Sequence, residues 1–184
     1  MDLSSLATYL SHFTVLEVTI YLLILIPTVY TMVGGAPFVP TQMRQVHRML
    51  DAVPLKKGMK LYDLGSGDGR LVHTASKKYN VEAVGYEYSP LIWLWGKMIS
   101  PFWRSKAKLK FGNFYRQNLS DADIIVCYLL PGPMKRMRKE IYPRLKKGAI
   151  IISHAFHIPE LDPLKILPKD KDLKLSPVWI YEKK

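Results

Sequence analysis

The stretch Leu61–Arg70, LYDLGSGDGR, decides the fold. An apolar run ends in an acid, Asp63, and three glycines follow at alternate positions, Gly65, Gly67 and Gly69. A strand that runs into such a loop and then into a helix is the first unit of an open α/β sheet. In these sheets ligands bind outside the carboxyl ends of the strands, and glycine lets the backbone approach them closely. A dinucleotide-binding loop spaces its glycines Gly-x-Gly-x-x-Gly to seat a pyrophosphate on the next helix. Here the spacing is Gly-x-Gly-x-Gly, and an acid at the strand end repels a pyrophosphate but attracts an ammonium.

The flanking residues extend this pattern. MKLYDL leads into the loop as a strand and GRLVHTASKKY follows as a helix. VEAVGYE is a second strand and SPLIWLWGKMIS a second helix, with Ser89 as cap and Pro90 at its first position. AKLKFGN is a third strand. DADIIVCYLL is a fourth, apolar almost throughout, as befits a strand covered on both faces of a parallel sheet. GPMKRMRKEIYPRL is helical, GAIIISHAF is a fifth strand and SPVWIYEK a terminal one. Upstream, TQMRQVHRMLDAV places Met43, Val46, Met49, Leu50 and Val53 on one helical face, with Thr41 as the expected cap. Strand and helix alternating in this way predict a doubly wound, mostly parallel sheet. Glu87 closes the second strand, eighteen residues after Gly69, where a carboxylate accepts the hydroxyls of a ribose. An amino acid and a ribose without a diphosphate describe S-adenosylmethionine.

Charge is distributed unevenly. No Lys or Arg precedes Arg44, so residues 44 to 184 hold all 27 basic residues against 13 acids, a formal +14, while the head carries −2. From Val18 to Val33 no residue is charged, and extending back to Phe13 gives close to the ~20 residues that cross a hydrocarbon core. A cleaved signal peptide needs a basic n-region, which is missing. A surface helix is apolar along one stripe, whereas this run is apolar all round. The expectation is therefore one transmembrane helix over about residues 13–33, within an anchor of residues 1–36 that precedes a domain of residues 37–184. The cations downstream of it place that domain on the cytoplasmic side. One cysteine, Cys127, excludes an internal disulfide and reads as core.

DLGSGDG together with GYEYSP resembles the first two motifs of class I S-adenosylmethionine-dependent methyltransferases. GAPFVPT just upstream narrows this further. Over roughly residues 34 to 135 the chain resembles the small lysine methyltransferases that include the mitochondrial enzymes modifying the ATP synthase c subunit and the adenine nucleotide translocase, and their archaeal relatives. The resemblance implies a Rossmann-like methyltransferase sheet, with Asp63, Gly65, Ser66 and Gly67 around the methionine part of the cofactor and Glu87 at its ribose. It implies Asn113 and Phe114, in FGNFY, at the adenine, and Pro40 and Thr41, in FVPT, over the cofactor and the target-amine channel. At the fourth strand the chain departs from the acidic or Asn-Pro-Pro-Tyr-like motif of many amine methyltransferases and has CYLLPGP instead.

Methyl transfer from a sulfonium requires chiefly that a neutral amine be held in line with the methyl group. Tyr128 is the candidate catalytic residue, orienting the amine by a hydrogen bond; its alternative is a packed aromatic at a strand end. No metal-ligand spacing occurs, and no metal is expected. His73, His154 and His157 share no spacing and read as structural, with His154 or His157 placed to line the substrate mouth. Asp68 and Arg70 are expected to cap the glycine loop and face solvent. Trp93, Trp95 and Trp103, interleaved with Lys97, Arg104, Lys106, Lys108 and Lys110, are expected partly in the core and partly at a membrane surface, ahead of nucleic acid, which is not an expected partner. The expected substrate is a lysine side chain of a membrane or membrane-proximal protein. The alternatives are a lipid headgroup, quinone precursor or other small molecule, and a non-catalytic cofactor-binding module.

Overall fold

The computed structural model describes residue 2, residues 14–34 and residues 38–184, apart from the side chains of residues 24 and 26–34. Helix α1 covers Val15–Gly34. It opens on a reciprocal cap: the Thr14 backbone N–H and hydroxyl both donate to Glu17 Oε2 at 2.8 Å, and the Glu17 N–H donates back to Thr14 Oγ1 at 3.3 Å. This Thr-x-x-Glu box starts the helix two residues later than expected and gives Glu17 a structural task. The crossing helix expected over residues 13–33 is not shown. Residue 13 lies outside the described residues, as do residues 35–37 of the GAPFVPT motif, and among the described residues no helix is long and apolar enough to cross a membrane.

Helix α2, Met43–Asp51, precedes β1, Lys60–Leu64, and α3, Arg70–Tyr79. There follow β2, Glu82–Glu87, α4, Pro90–Trp103, β3, Lys108–Phe111, and β4, Ile124–Cys127. Helix α5, Pro131–Glu140, leads to β5, Ile150–His154, β6, Lys165–Leu167, and β7, Val178–Glu182. The sheet order is β3-β2-β1-β4-β5-β7-β6, parallel from β3 to β5 and antiparallel at β7 and β6. The mostly parallel, doubly wound sheet read from the sequence is present. Strand β6 was not foreseen, because KIL is a three-residue run inside a charged stretch.

Successive residues of the strands face opposite layers. Leu64, Ile125, Cys127 and Ile151 pack with Met134, Met137 and Ile141 on the α5 side. Leu61, Ile124, Val126 and Ile152 pack with Val46, Met49 and Leu50 of α2 and Val72 and Ala75 of α3 on the other. Each fully buried Leu, Ile or Met contributes about 1.5–3 kcal/mol of apolar burial. Two such layers hold the sheet rigid and aim the carboxyl ends of β1 and β4 at one crevice. There the winding reverses, between Leu64 and its neighbour Cys127.

Several boundaries differ from expectation for local reasons. Thr41 is not the cap of α2: Gln42 holds that place, with no side-chain cap hydrogen bond, and the Thr41 carbonyl accepts from Arg70 Nη1 at 2.8 Å. The helix after β4 ends at Glu140, and Pro143 lies in a separate 3-10 turn, Tyr142–Arg144. Helix α4 continues through Pro101 to Trp103, whose ring stacks on His73 at 5.6 Å.

Candidate active site

At the crevice the chain passes from β1 through Gly65, Gly67 and Gly69, which have φ of +86°, +58° and +83°. The Gly65 and Ser66 amides both donate to the Tyr86 carbonyl, at 2.9 and 3.0 Å, so the end of β2 fixes the start of the loop. At Gly67 the left-handed backbone coincides with a close approach, since a Cβ there would lie 2.4 Å from the Phe38 ring. The FVPT segment therefore lies directly on the glycine loop. Arg70 fastens it there, pairing with Asp68 at 2.7 Å while donating to the Thr41 carbonyl. Asp68 is buried, which corrects the expectation of a solvent-facing acid; the guanidinium makes that burial tolerable.

Glu87 has two tasks. Its Oε2 accepts from the Gly67 amide at 2.9 Å and its Oε1 from the Ser89 amide at 2.8 Å. Each oxygen keeps a lone pair for a further donor on the cleft side. Asp63 is buried behind the loop, and its carboxyl is pushed up to about 7, first by burial and then by the charges of Glu87 and Asp68. This concentration of negative charge favours a cation, and Asp63 is the group that gains most from one.

One cleft brings together most of the residues singled out in the sequence: Pro40 and Thr41, Asp63, Gly65, Ser66 and Gly67 of the loop with Glu87 bonded to it, and Phe114 and Tyr128. Asn113 is not on the lining. Its Oδ1 accepts from the Tyr115 amide at 2.9 Å and caps the short turn Phe114–Arg116, so it aims Phe114 at the cleft from behind. Cys127 is buried against Met134 and the Ile152 carbonyl, and burial pushes its thiol up to about 12, which makes it core and no nucleophile. His73 is held by Ser105 Oγ at 2.7 Å and Ser100 Oγ at 3.1 Å, a structural role, and His157 lies against Trp179 away from the cleft.

A second recess adjoins the first and shares Val39, Pro40, Thr41, Tyr128 and His154 with it. Its own walls include Gln45, Lys174 and Ser176. The Tyr128 and His154 rings meet at 4.1 Å, at the boundary between the two spaces. Among the described residues four buried side-chain polar atoms have no hydrogen-bond partner, and two of them, Gln45 Oε1 and His154 Nδ1, belong to residues that line the second recess, while Ser66 Oγ is packed against Gly85 of β2. Polar groups left unpaired in a folded core are costly, so these two acceptors are open to a donor. Burial draws the His154 imidazole down to about 4, so it is neutral at physiological pH. Gln45 and Arg70 were not anticipated as site residues. The signal for Gln45 was present, a polar side chain on the inward side of an amphipathic helix between Thr41 and the buried Val46 and Met49. Among the described residues no group of His, Cys, Asp and Glu is arranged to hold a metal ion.

Residues 63–165 match the model of the ANTKMT methyltransferase domain. The chain is 29% identical over 152 residues to a protein-lysine N-methyltransferase of Saccharolobus islandicus (strain REY15A), covering 81% of this chain and 94% of that protein. It is 29% identical over 150 residues to the adenine nucleotide translocase lysine N-methyltransferase of Mus musculus, covering 79% of this chain but only 62% of the mouse protein. Among solved structures, an RNA methyltransferase from Salinibacter ruber in complex with S-adenosyl-L-homocysteine superposes with a TM-score of 0.73 at 26% identity, over 79% of this chain and 94% of that one.

Proposed function

The chain belongs to the ANTKMT methyltransferase family and is an S-adenosylmethionine-dependent methyltransferase, and from that premise we propose that it methylates the side-chain amine of lysine in a target protein. The cofactor fits the first cleft by the chemistry of its lining. Asp63 meets the ammonium of the amino-acid part, which lies against Gly65, Ser66 and Gly67 of the loop. Glu87 takes the ribose hydroxyls, and Phe114, aimed by Asn113, lies against the adenine. Bound there, S-adenosylmethionine supplies a methyl group on a positively charged sulfur.

The observation that carries the lysine reading is the pair of unpartnered acceptors on the second recess, Gln45 Oε1 and His154 Nδ1. A primary amine brings N–H donors to both, and the same recess touches the cofactor cleft at Thr41, Tyr128 and His154. With Nε2 protonated, His154 accepts at Nδ1. As it carries no charge, it orients the amine without stabilising the ammonium. A free lysine has a pKa of ~10.4, and Lys174 on the recess wall adds positive charge that favours the neutral, nucleophilic form. Tyr128, between the two spaces, holds the amine on the line of attack. The names of the similar archaeal and mouse proteins support the same substrate class.

The head, residues 1–36, is proposed as a tether that keeps the domain, residues 37–184, on the cytoplasmic side of a membrane and its target close to that membrane. The support is the uncharged run Val18–Val33, the absence of Lys and Arg before Arg44, and the exposed Leu16, Ile20, Leu23 and Leu25 of α1. The test is to incubate the full chain with methyl-labelled S-adenosylmethionine and whole membranes, separate protein, lipid and RNA, and hydrolyse the protein to amino acids. Label recovered as N-methyl-lysine is the expected result. Label in lipid or RNA alone would overturn the lysine reading, and complete extraction of the chain by alkaline carbonate would overturn the tether.

A further inference from the structure

Helix α4 turns two unlike faces outward and inward. Inward, Gly96 lets it approach the loop after β1 so closely that a Cβ would lie 3.2 Å from the Asp68 backbone, and Trp93 packs on the core. Outward, Leu91, Leu94, Trp95, Met98 and Phe102 recur at helical spacing along one stripe and are 53%, 50%, 54%, 63% and 85% exposed. The stripe continues onto β3, at the edge of the sheet, where Phe111 is exposed as well. Five large apolar side chains on one helical face are not accounted for by the cleft or the core. Part of the tryptophan set is core, as expected from the sequence, but Trp95 belongs to this outer face.

The surroundings of the stripe are of one sign. From Tyr88 to Ser120 there is no Asp or Glu, against six Lys and Arg. Lys97, Arg104 and Lys106, on α4 and just after it, are exposed and take part in no ion pair among the described residues, whereas Lys108 and Lys110 turn to the other face of the sheet, Lys110 over the Tyr86 ring. An apolar stripe rimmed by unpaired cations matches a surface that offers acyl chains in the middle and negative charge around it. We propose that α4 and the β3 edge form a membrane-seating face that lies flat in the interface of a bilayer containing anionic phospholipid. Nucleic acid shares the charge but not the stripe, since Leu91, Leu94 and Met98 offer no π-face for bases to stack on. A second copy shares the stripe but not the charge, because a twofold contact would bring two of these cationic faces together. The proposal is independent of the lysine reading. It has a geometric corollary: Ser89, at the start of α4, lines the cofactor cleft, so seating α4 brings one end of that cleft to the lipid surface.

Because the head is itself apolar, the test must report on α4 and not on attachment alone. Full-length chain is mixed with phosphatidylcholine vesicles, with and without phosphatidylglycerol, whose acyl chains carry bromine, and tryptophan emission is followed. The expected result is quenching with phosphatidylglycerol that is lost in Trp95→Phe and in the triple variant K97E, R104E and K106E. Both are surface changes, and circular dichroism checks that each variant is folded. Partitioning of the domain through these three positions is expected to weaken by roughly a hundredfold or more, at about fivefold for each cation removed before the added carboxylates are counted. Quenching that is equal in the absence of phosphatidylglycerol, or unchanged in either variant, would overturn the proposal. So would shielding of Trp95 from aqueous iodide by added single-stranded RNA or by raised protein concentration, with none on adding vesicles.

Discussion

Asp63 couples proton binding to ligand binding. Its carboxyl ionises near pH 7 in the folded chain, against an ordinary value of 3.8. A raised acid holds its proton more tightly folded than unfolded, so its contribution to the stability of the ligand-free domain is full below about pH 4 and is lost as the pH rises through 7. His154 works in the opposite sense. Its lowered value makes its contribution full above the ordinary 6.5, and that contribution is lost as the pH falls towards 4. An ammonium-bearing cofactor selects the ionised form of Asp63, so affinity should rise with pH between about 6 and 8 and binding should release protons. Calorimetry in buffers of different ionisation enthalpy checks both, and Asp63→Asn should weaken binding by tenfold or more at pH 8, worth about 1.4 kcal/mol, and flatten the pH dependence. On the target side, Tyr128→Phe and His154→Leu should slow methylation of a lysine peptide by about tenfold or more while cofactor affinity stays within about twofold. A parallel loss of cofactor binding would move these residues to the other half of the site.

At the scale of the element, the glycine loop is held by φ angles that L residues resist and by a roof lying on top of it. Gly67→Ala should cost about 1–2 kcal/mol for the left-handed backbone, with a further penalty for displacing Phe38, and should weaken cofactor binding at the same time. Thermal denaturation with and without S-adenosyl-L-homocysteine separates the two effects. The loop, the strand before it and the acid after β2 were legible because their chemistry is written contiguously: an apolar run, alternate glycines, then a carboxylate at a fixed distance. The recess was less so. Gln45 and Ser176 are 131 residues apart and meet only because β7 returns beside β5 and lays the preceding loop against α2, where Gln45 Nε2 donates to the Ser176 carbonyl. Asn113 shows the converse: a residue type suited to adenine, at the expected strand end, whose side-chain oxygen accepts from the Tyr115 amide. Likewise the Thr14–Glu17 cap was written in the sequence, but it was overshadowed by the apolar run that follows it.

In the whole molecule, two apolar layers clamp a sheet whose middle strands are buried on both faces. Ile125, fully buried in β4 between neighbours β1 and β5, is a direct probe of that clamp. Ile125→Ala should lower the free energy of unfolding by about 2–5 kcal/mol in a urea titration without changing which residues line the cleft. The alternation of strand and helix made this architecture readable, since each buried strand is a short apolar run bounded by turns. The antiparallel edge was harder to read, because pairing of β6 with β7 depends on a partner and not on the residues of β6 itself.

The roof segment Val39–Thr41 borders both the cofactor cleft and the adjoining recess, and Arg70 holds it to the glycine loop. Under the proposed lysine reading, target chain and cofactor share this one cover, so the expected order is departure of the target before the spent cofactor. Separate encounters for successive methyl groups are then the expected outcome. A time course with excess peptide should accordingly show the monomethylated form building up before the dimethylated one, and a chase with unlabelled peptide added after the first turnover should halt further methylation of the labelled peptide.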